Sequence, residues 1–105
     1  MQKMNPRVKK LWVDALRSGE FEQTRLQLKD DYGYCCLGVL NELHKRETGI
    51  EYNHQDGRPA ADVNIWCGLD DYSVKYGGYF CQLDALNDKA RLTFTQIADL
   101  IEEQL

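Results

Sequence analysis

A chain of 105 residues with 43% hydrophobic and 29% charged side chains is one domain's worth of sequence, residues 1–105, with enough apolar content for its own core and too much for a disordered chain. Its formal charge of −4 argues against general nucleic-acid binding, where a basic face is the usual footprint, and acidic pairs such as Asp30-Asp31 and Asp70-Asp71 are too few for a DNA mimic. No apolar run approaches the roughly 20 residues of a membrane span, and the stretch from Met1 to Pro6 lacks the apolar segment of a signal peptide, so a cytosol with reduced thiols is expected.

Asn5 is a good N-cap and Pro6 suits the first helical position. Val8, Leu11, Trp12, Ala15 and Leu16 then recur at helical spacing, so a first helix is expected up to Ser18-Gly19, with Trp12 in its core stripe. From Thr24 to Leu28 polar and apolar residues alternate, Lys29 to Gly33 has turn chemistry, and Tyr34-Cys35-Cys36 returns. That pattern predicts a small hairpin from Thr24 to Cys36, which must pack on helices to be stable.

The most apolar stretch runs from Tyr34 to Leu43. Cys36, Val39, Leu40 and Leu43 repeat at helical spacing, Leu37 widens the face, and Thr48-Gly49 ends the second helix. Gly38 inside it costs about 1 kcal/mol against Ala, so close backbone packing is expected there. His44, on the flank of the stripe, reads as a surface residue. Ile50 to Pro59 reads as a polar loop. A short helix from Pro59 to Cys67 follows, ended by Gly68, with Val63, Trp66 and Cys67 inward.

Leu69 to Phe80 has two readings. Gly77-Gly78 is either a two-residue hairpin turn or part of a loop. Four of the chain's 11 aromatic residues, Tyr72, Tyr76, Tyr79 and Phe80, fall here, either packed on the core or presented to a partner. A short helix from Cys81 to Leu86 with Asn87 at its C-cap comes next. Thr93 with Gln96 forms a capping box opening the last helix, with Phe94, Ile97, Ala98 and Ile101 inward and Leu105 continuing the stripe. The pattern predicts a helix-rich α+β domain: four or five helices around the second one, with a small β-hairpin.

Several of these segments recur in one order: Ala-Leu-Arg-Ser-Gly at Ala15–Gly19, Cys-Cys-Leu-Gly-Val-Leu at Cys35–Leu40, Trp66-Cys67-Gly68-Leu69, Leu86-Asn87-Asp88, and Phe-x-x-Ile-Ala-Asp-x-Ile-Glu at Phe94–Glu102. In this the chain resembles a set of small proteins found mostly in tailed-bacteriophage genomes. The resemblance spans nearly the whole chain and is weakest from Asp70 to Tyr79. It implies a phage protein acting in the cytoplasm of a bacterial host. It carries over no activity, cofactor or catalytic residue.

Cys35, Cys36, Cys67 and Cys81 lack the paired spacing of a zinc site, so no metal is expected and the thiols read as small buried hydrophobes. The sharpest enzymatic idea is a nucleophilic Cys36 at a helix N-terminus, where the dipole lowers a thiol pKa. His44 lies about 12 Å along the same helix and cannot serve it. Only His54 could act as base, with Asp56 or Asn53 as its orienting group, both close to it in sequence. Gly77-Gly78 lacks the spacing and lysine of a phosphate-binding loop, and no cofactor is expected.

That leaves binding. Exposed aromatics and arginines make protein interfaces, and Tyr72, Tyr76, Tyr79, Arg25 and Arg58 are the candidates. The same residue types recognise the phosphates and base of a small signalling nucleotide. Asn87 is a further candidate, against a plain helix stop. The leading expectation is a non-enzymatic phage accessory protein that binds and modulates a host protein, in host takeover or anti-defence. A binder that sequesters a small signalling nucleotide is the alternative, and a cysteine-dependent hydrolase the third reading.

Overall fold

In the computed structural model of the chain, which describes residues 3–25, 28–30, 32–51 and 59–105, Asn5 starts the first helix through its side chain. Asn5 Oδ1 accepts the free N–H groups of Arg7 (2.9 Å) and Val8 (3.2 Å), and Pro6 opens α1 (Pro6–Arg17). Val8, Trp12, Val13, Ala15 and Leu16 are buried. Leu11, expected in that stripe, is 39% exposed, and Val13 is buried in its stead. The stripe is centred further round because α1 packs most extensively on α5 and less on α2 and α3.

No regular hairpin joins the described residues between Thr24 and Cys36; Leu26, Gln27 and Asp31 lie outside them. The pairing there is two isolated bridges, both to Tyr34, one parallel from Gln23 and one antiparallel from Lys29. Tyr34 is flanked on both sides: Thr24 N–H donates to its carbonyl, its own N–H donates to Glu22, and Cys35 N–H donates to Leu28. Asp30 organises the turn, accepting from Thr24 Oγ1 (2.5 Å) and from the backbone N–H groups of Tyr32 (2.8 Å) and Gly33 (3.0 Å). Those contacts hold its carboxyl below the usual range, the Thr24 hydroxyl contributing most. The short-range alternation of Thr24–Leu28 suited a strand, but side-chain turn bonds and a doubly flanked Tyr34 take the backbone groups a ladder needs.

The second helix, α2 (Cys36–Thr48), is the buried axis. Every residue from Cys36 to Asn41 is buried, and so is His44, which was expected at the surface. The His44 ring is covered by Trp66, edge-on at 5.2 Å, because α3 (Ala61–Cys67) lies against α2. Trp12 Nε1–H donates to Cys36 O (2.9 Å), tying α1 to the first turn of α2. At Gly38 the expected close packing is extreme: a Cβ there would sit 1.6 Å from the Leu28 carbonyl oxygen. Glu47 joins three helices, pairing with Arg7 (2.6 Å) and accepting from Trp66 Nε1.

The chain's antiparallel ladder lies later, between β1 (Ser73–Tyr76) and β2 (Tyr79–Gln82). Of the two readings of that stretch, the hairpin turn is the one adopted. The next helix, α4 (Leu83–Asp88), begins two residues after its expected start because Cys81 and Gln82 belong to β2. It runs past Asn87, with Lys89 as its C-cap. The last helix, α5 (Phe94–Gln104), has the expected capping box, Gln96 N–H to Thr93 Oγ1 (3.2 Å) and Thr93 N–H to Gln96 Oε1 (2.9 Å). The described residues thus give five helices and a two-stranded hairpin around one core, an α+β domain.

Candidate functional site

The β1–β2 hairpin carries three exposed aromatic side chains on a base anchored in the core by Val74. Gly77 (φ +61°) and Gly78 (φ +85°) both take positive φ, as the type I′ turn between closely paired strands demands. The register pairs Tyr76 with Tyr79, Lys75 with Phe80, Val74 with Cys81 and Ser73 with Gln82. Cross-strand partners share a face. Val74, 1% exposed, roots one face in the core, and Tyr76 and Tyr79 extend it outward. On the other face Gln82 Nε2 donates to Ser73 Oγ (2.9 Å), and the Lys75 ammonium lies 5.9 Å from the centre of the Phe80 ring.

Two contacts fix this ribbon to the body. Leu83 N–H donates to Tyr72 O (2.9 Å) at its base. Gln104, at the end of α5, accepts from Lys75 N–H (2.7 Å) and donates to Lys75 O (2.9 Å). Tyr76, Tyr79 and Phe80 are 42%, 77% and 74% exposed. At 150–250 Å² per aromatic side chain they present about 400 Å² in all, divided between the Tyr76–Tyr79 face and the Phe80 face of the ribbon. Other exposed apolar residues, Tyr32 and Ile65, are not part of this ribbon.

The remaining expected site residues divide sharply. Tyr72 is 2% exposed and belongs to the core. Its hydroxyl donates to Asn64 Oδ1 (2.5 Å) and touches Cys67 Sγ (3.4 Å), its ring meets Trp12 edge-on at 6.3 Å, and burial pushes its phenol pKa up. Asn87 is fully buried, so it is not a surface ligand, and α4 ends one residue beyond it. Its Oδ1 accepts from Gln23 Nε2 (2.8 Å) and from Cys36 N–H (3.3 Å), and its Nδ2 donates to Thr24 O (2.8 Å) and Asp88 Oδ1 (2.8 Å). It satisfies an N–H at the start of α2 that has no partner within that helix.

Arg25 is half-buried, with a buried Nε that has no hydrogen-bond partner among the described residues. Arg58 lies outside the described residues, as do Asn53, His54 and Asp56, and with them the suggested pairing of His54 with Cys36.

Cys36 is not the activated thiol expected at a helix N-terminus. It stands at the first position of α2 as expected, yet it is fully buried and its Sγ rests on Leu83 O (3.6 Å). Burial pushes its pKa well up, and the Cys35 pKa is pushed up to about 11 mainly by the same cause. Desolvation therefore outweighs the helix dipole, and the thiol is held protonated rather than activated. Cys35, Cys67 and Cys81 are also free, and only Cys81 is partly accessible. Among the described residues no three His, Cys, Asp or Glu side chains converge as metal ligands.

A shallow groove of about 280 Å³ is lined by Pro6, Lys9, Lys10, Val13, Asp14 and Glu102. Its lysines stand beside two carboxylates, with Lys10 paired to Asp14 (2.9 Å), and its lining includes no aromatic ring. That is poor chemistry for a nucleotide. Among the described residues, no helix is long and apolar enough to cross a membrane.

Phe80, Lys75 and Gln104 were not among the site residues read from the sequence. The signal for Phe80 was there, in the Gly77-Gly78 step and the alternation around it; Gln104 lies 29 residues from the strand it clamps and leaves no local trace. Together these features define a helix-rich α+β domain that presents aromatic side chains on a braced hairpin. The chain belongs to the family described as a domain of unknown function (DUF8296), whose model matches residues 4–105. No curated protein and no solved structure matches it.

Proposed function

We propose that this protein is a non-enzymatic phage accessory protein that binds and modulates a host protein in the bacterial cytoplasm, with the β1–β2 hairpin as its contact surface. The observation that carries the reading is the exposure of Tyr76, Tyr79 and Phe80 on a ribbon rooted by Val74 and clamped by Gln104. Aromatic side chains are the commonest anchors of protein interfaces, and a braced ribbon loses little entropy when it docks. The deep burial of Cys36 removes the strongest candidate for a nucleophile. The phage setting rests on the motif order set out above.

The test is capture from bacterial lysate on the immobilised protein. The wild type retains a specific host protein, Tyr32→Ser retains it equally, and Tyr79→Ser with Phe80→Ser loses it. A wild type that retains nothing specific, or a double variant that retains the same protein, refutes the reading.

A further inference from the structure

We infer that a second copy of this chain pairs with the outer edge of β2, joining two hairpins into a four-stranded sheet across a two-fold axis at Phe80. The inference needs only this chain and stands apart from the proposed host partner. Successive residues of the hairpin point their backbone groups alternately at the partner strand and at the outer edge. Lys75 donates and accepts through Gln104, so its N–H and C=O face away from β2. In an antiparallel ladder the residue opposite such a position also faces outward, on the other edge. That residue is Phe80. Among the described residues nothing bonds to the Phe80 N–H or C=O, and the side chain beside them is 74% exposed.

The two edges are therefore treated differently. The outer edge of β1 is closed by a side chain that supplies both a donor and an acceptor. The outer edge of β2 reads Tyr79-Phe80-Cys81, with no charge, proline or bulge to keep it from pairing, and its length of 4 residues limits a partner strand to a short overlap. A two-fold partner meets this edge in one specific way. When a residue faces its own copy in a hydrogen-bonded antiparallel pair, each N–H bonds the other's C=O. Phe80 offers one of each.

The same register sets Tyr79 of one copy opposite Cys81 of the other, and places the two Phe80 rings side by side on the face where each carries its own Lys75 ammonium. Tyr79 and Phe80 expose about 300 Å² per copy, so the pairing covers at most about 600 Å² of their side chains, below that of a stable dimer. The association is weak, with a midpoint between about 10 µM and about 1 mM. It occupies the edge that carries Tyr79 and Phe80, two of the aromatics a host protein would contact, so self-pairing and partner binding compete.

Sedimentation velocity over that concentration range tests this. The wild type shifts from monomer to dimer, and Phe80→Lys, a change at an exposed position, weakens the dimer by about tenfold or more by setting like charges opposite each other. Mild oxidation of Tyr79→Cys gives a covalent dimer through Cys81 of the other copy, because directly opposed strand positions have the separation a disulfide needs. Adding Cys81→Ser removes that cross-link. A wild type that stays monomeric at about 1 mM overturns the inference and leaves the edge to a strand of another protein. A dimer that survives Phe80→Lys, or one that persists without the Tyr79→Cys cross-link, overturns the interface.

Discussion

Replacing Asn87 by alanine removes the acceptor for Cys36 N–H and Gln23 Nε2 and the donor to Thr24 O, at a position with no exposure. A buried polar group left without a partner costs about 1–3 kcal/mol. The Gln23 amide also donates to Leu92 O (2.8 Å) and is half-buried, so it recovers part of its loss. The Cys36 N–H and the Thr24 carbonyl have less recourse. The expected penalty is about 3–5 kcal/mol, about a fifth or more of the stability of a domain this size. Urea unfolding followed through Trp12 and Trp66 reads it directly: the midpoint falls by about 2 M or more, with the slope unchanged. Asn87→Asp separates hydrogen bonding from shape. It keeps the volume and one acceptor but turns a second oxygen toward Thr24 O and Asp88, so it is at least as damaging at neutral pH. A loss below about 1 kcal/mol in Asn87→Ala, with a native spectrum, would refute the argument that this amide holds the core together.

Gly38→Ala gains about 1 kcal/mol of helix propensity yet is expected to destabilise by about 3 kcal/mol or more, because its Cβ would fall 1.6 Å from a backbone oxygen; a melting temperature equal to the wild type's would show the approach to be false. A thiol reagent applied to the native protein labels Cys81 first and reaches Cys35, Cys36 and Cys67 only as fast as the chain unfolds; rapid native labelling of Cys36 would contradict its burial. Stability also falls on the alkaline side. The Cys35 thiol titrates near 9.0 when unexceptional and at about 11 in the fold, so the unfolded chain loses its proton first. Its contribution is whole below pH 9 and disappears as the pH rises through 11, which a series of melting curves follows.

The helices were legible because their signals are local. Asn5-Pro6, the Thr93–Gln96 capping box, Gly49 and Gly68 are written within a few residues of the ends they set, and each acts as its chemistry dictates. Gly38 was legible too, as an otherwise costly residue that needed a close neighbour, though not which neighbour. The strands were harder. Alternation over five residues from Thr24 pointed to a ladder that Asp30 and Tyr34 override, while the ladder that exists sat in a stretch with two open readings. Of the site, Tyr76 and Tyr79 were legible from composition and turn chemistry. Tyr72 was misread because a tyrosine's exposure depends on Asn64, Cys67 and Trp12, three residues from two helices. Asn87 was misread for the same reason, since its partners lie as far as 64 positions away.

The pairing of α1 with α5 carries a consequence for how the chain acquires its structure. The apolar stripe of the first helix meets its main partner in the last one, and Arg17 holds Asp99 (2.6 Å) and Glu102 (2.9 Å) across separations of 82 and 85 residues. Helices α2, α3 and α4 are all synthesised before that partner exists. During translation the stripe around Trp12 and Val13 is therefore open to water or to chaperones, and the fold closes late, in a step that joins the two ends of the described chain. Contacts of such long range slow folding. Weakening α5 should then lengthen the time the nascent chain spends exposed as well as lowering its final stability, and cellular proteases would sense the first effect before the second.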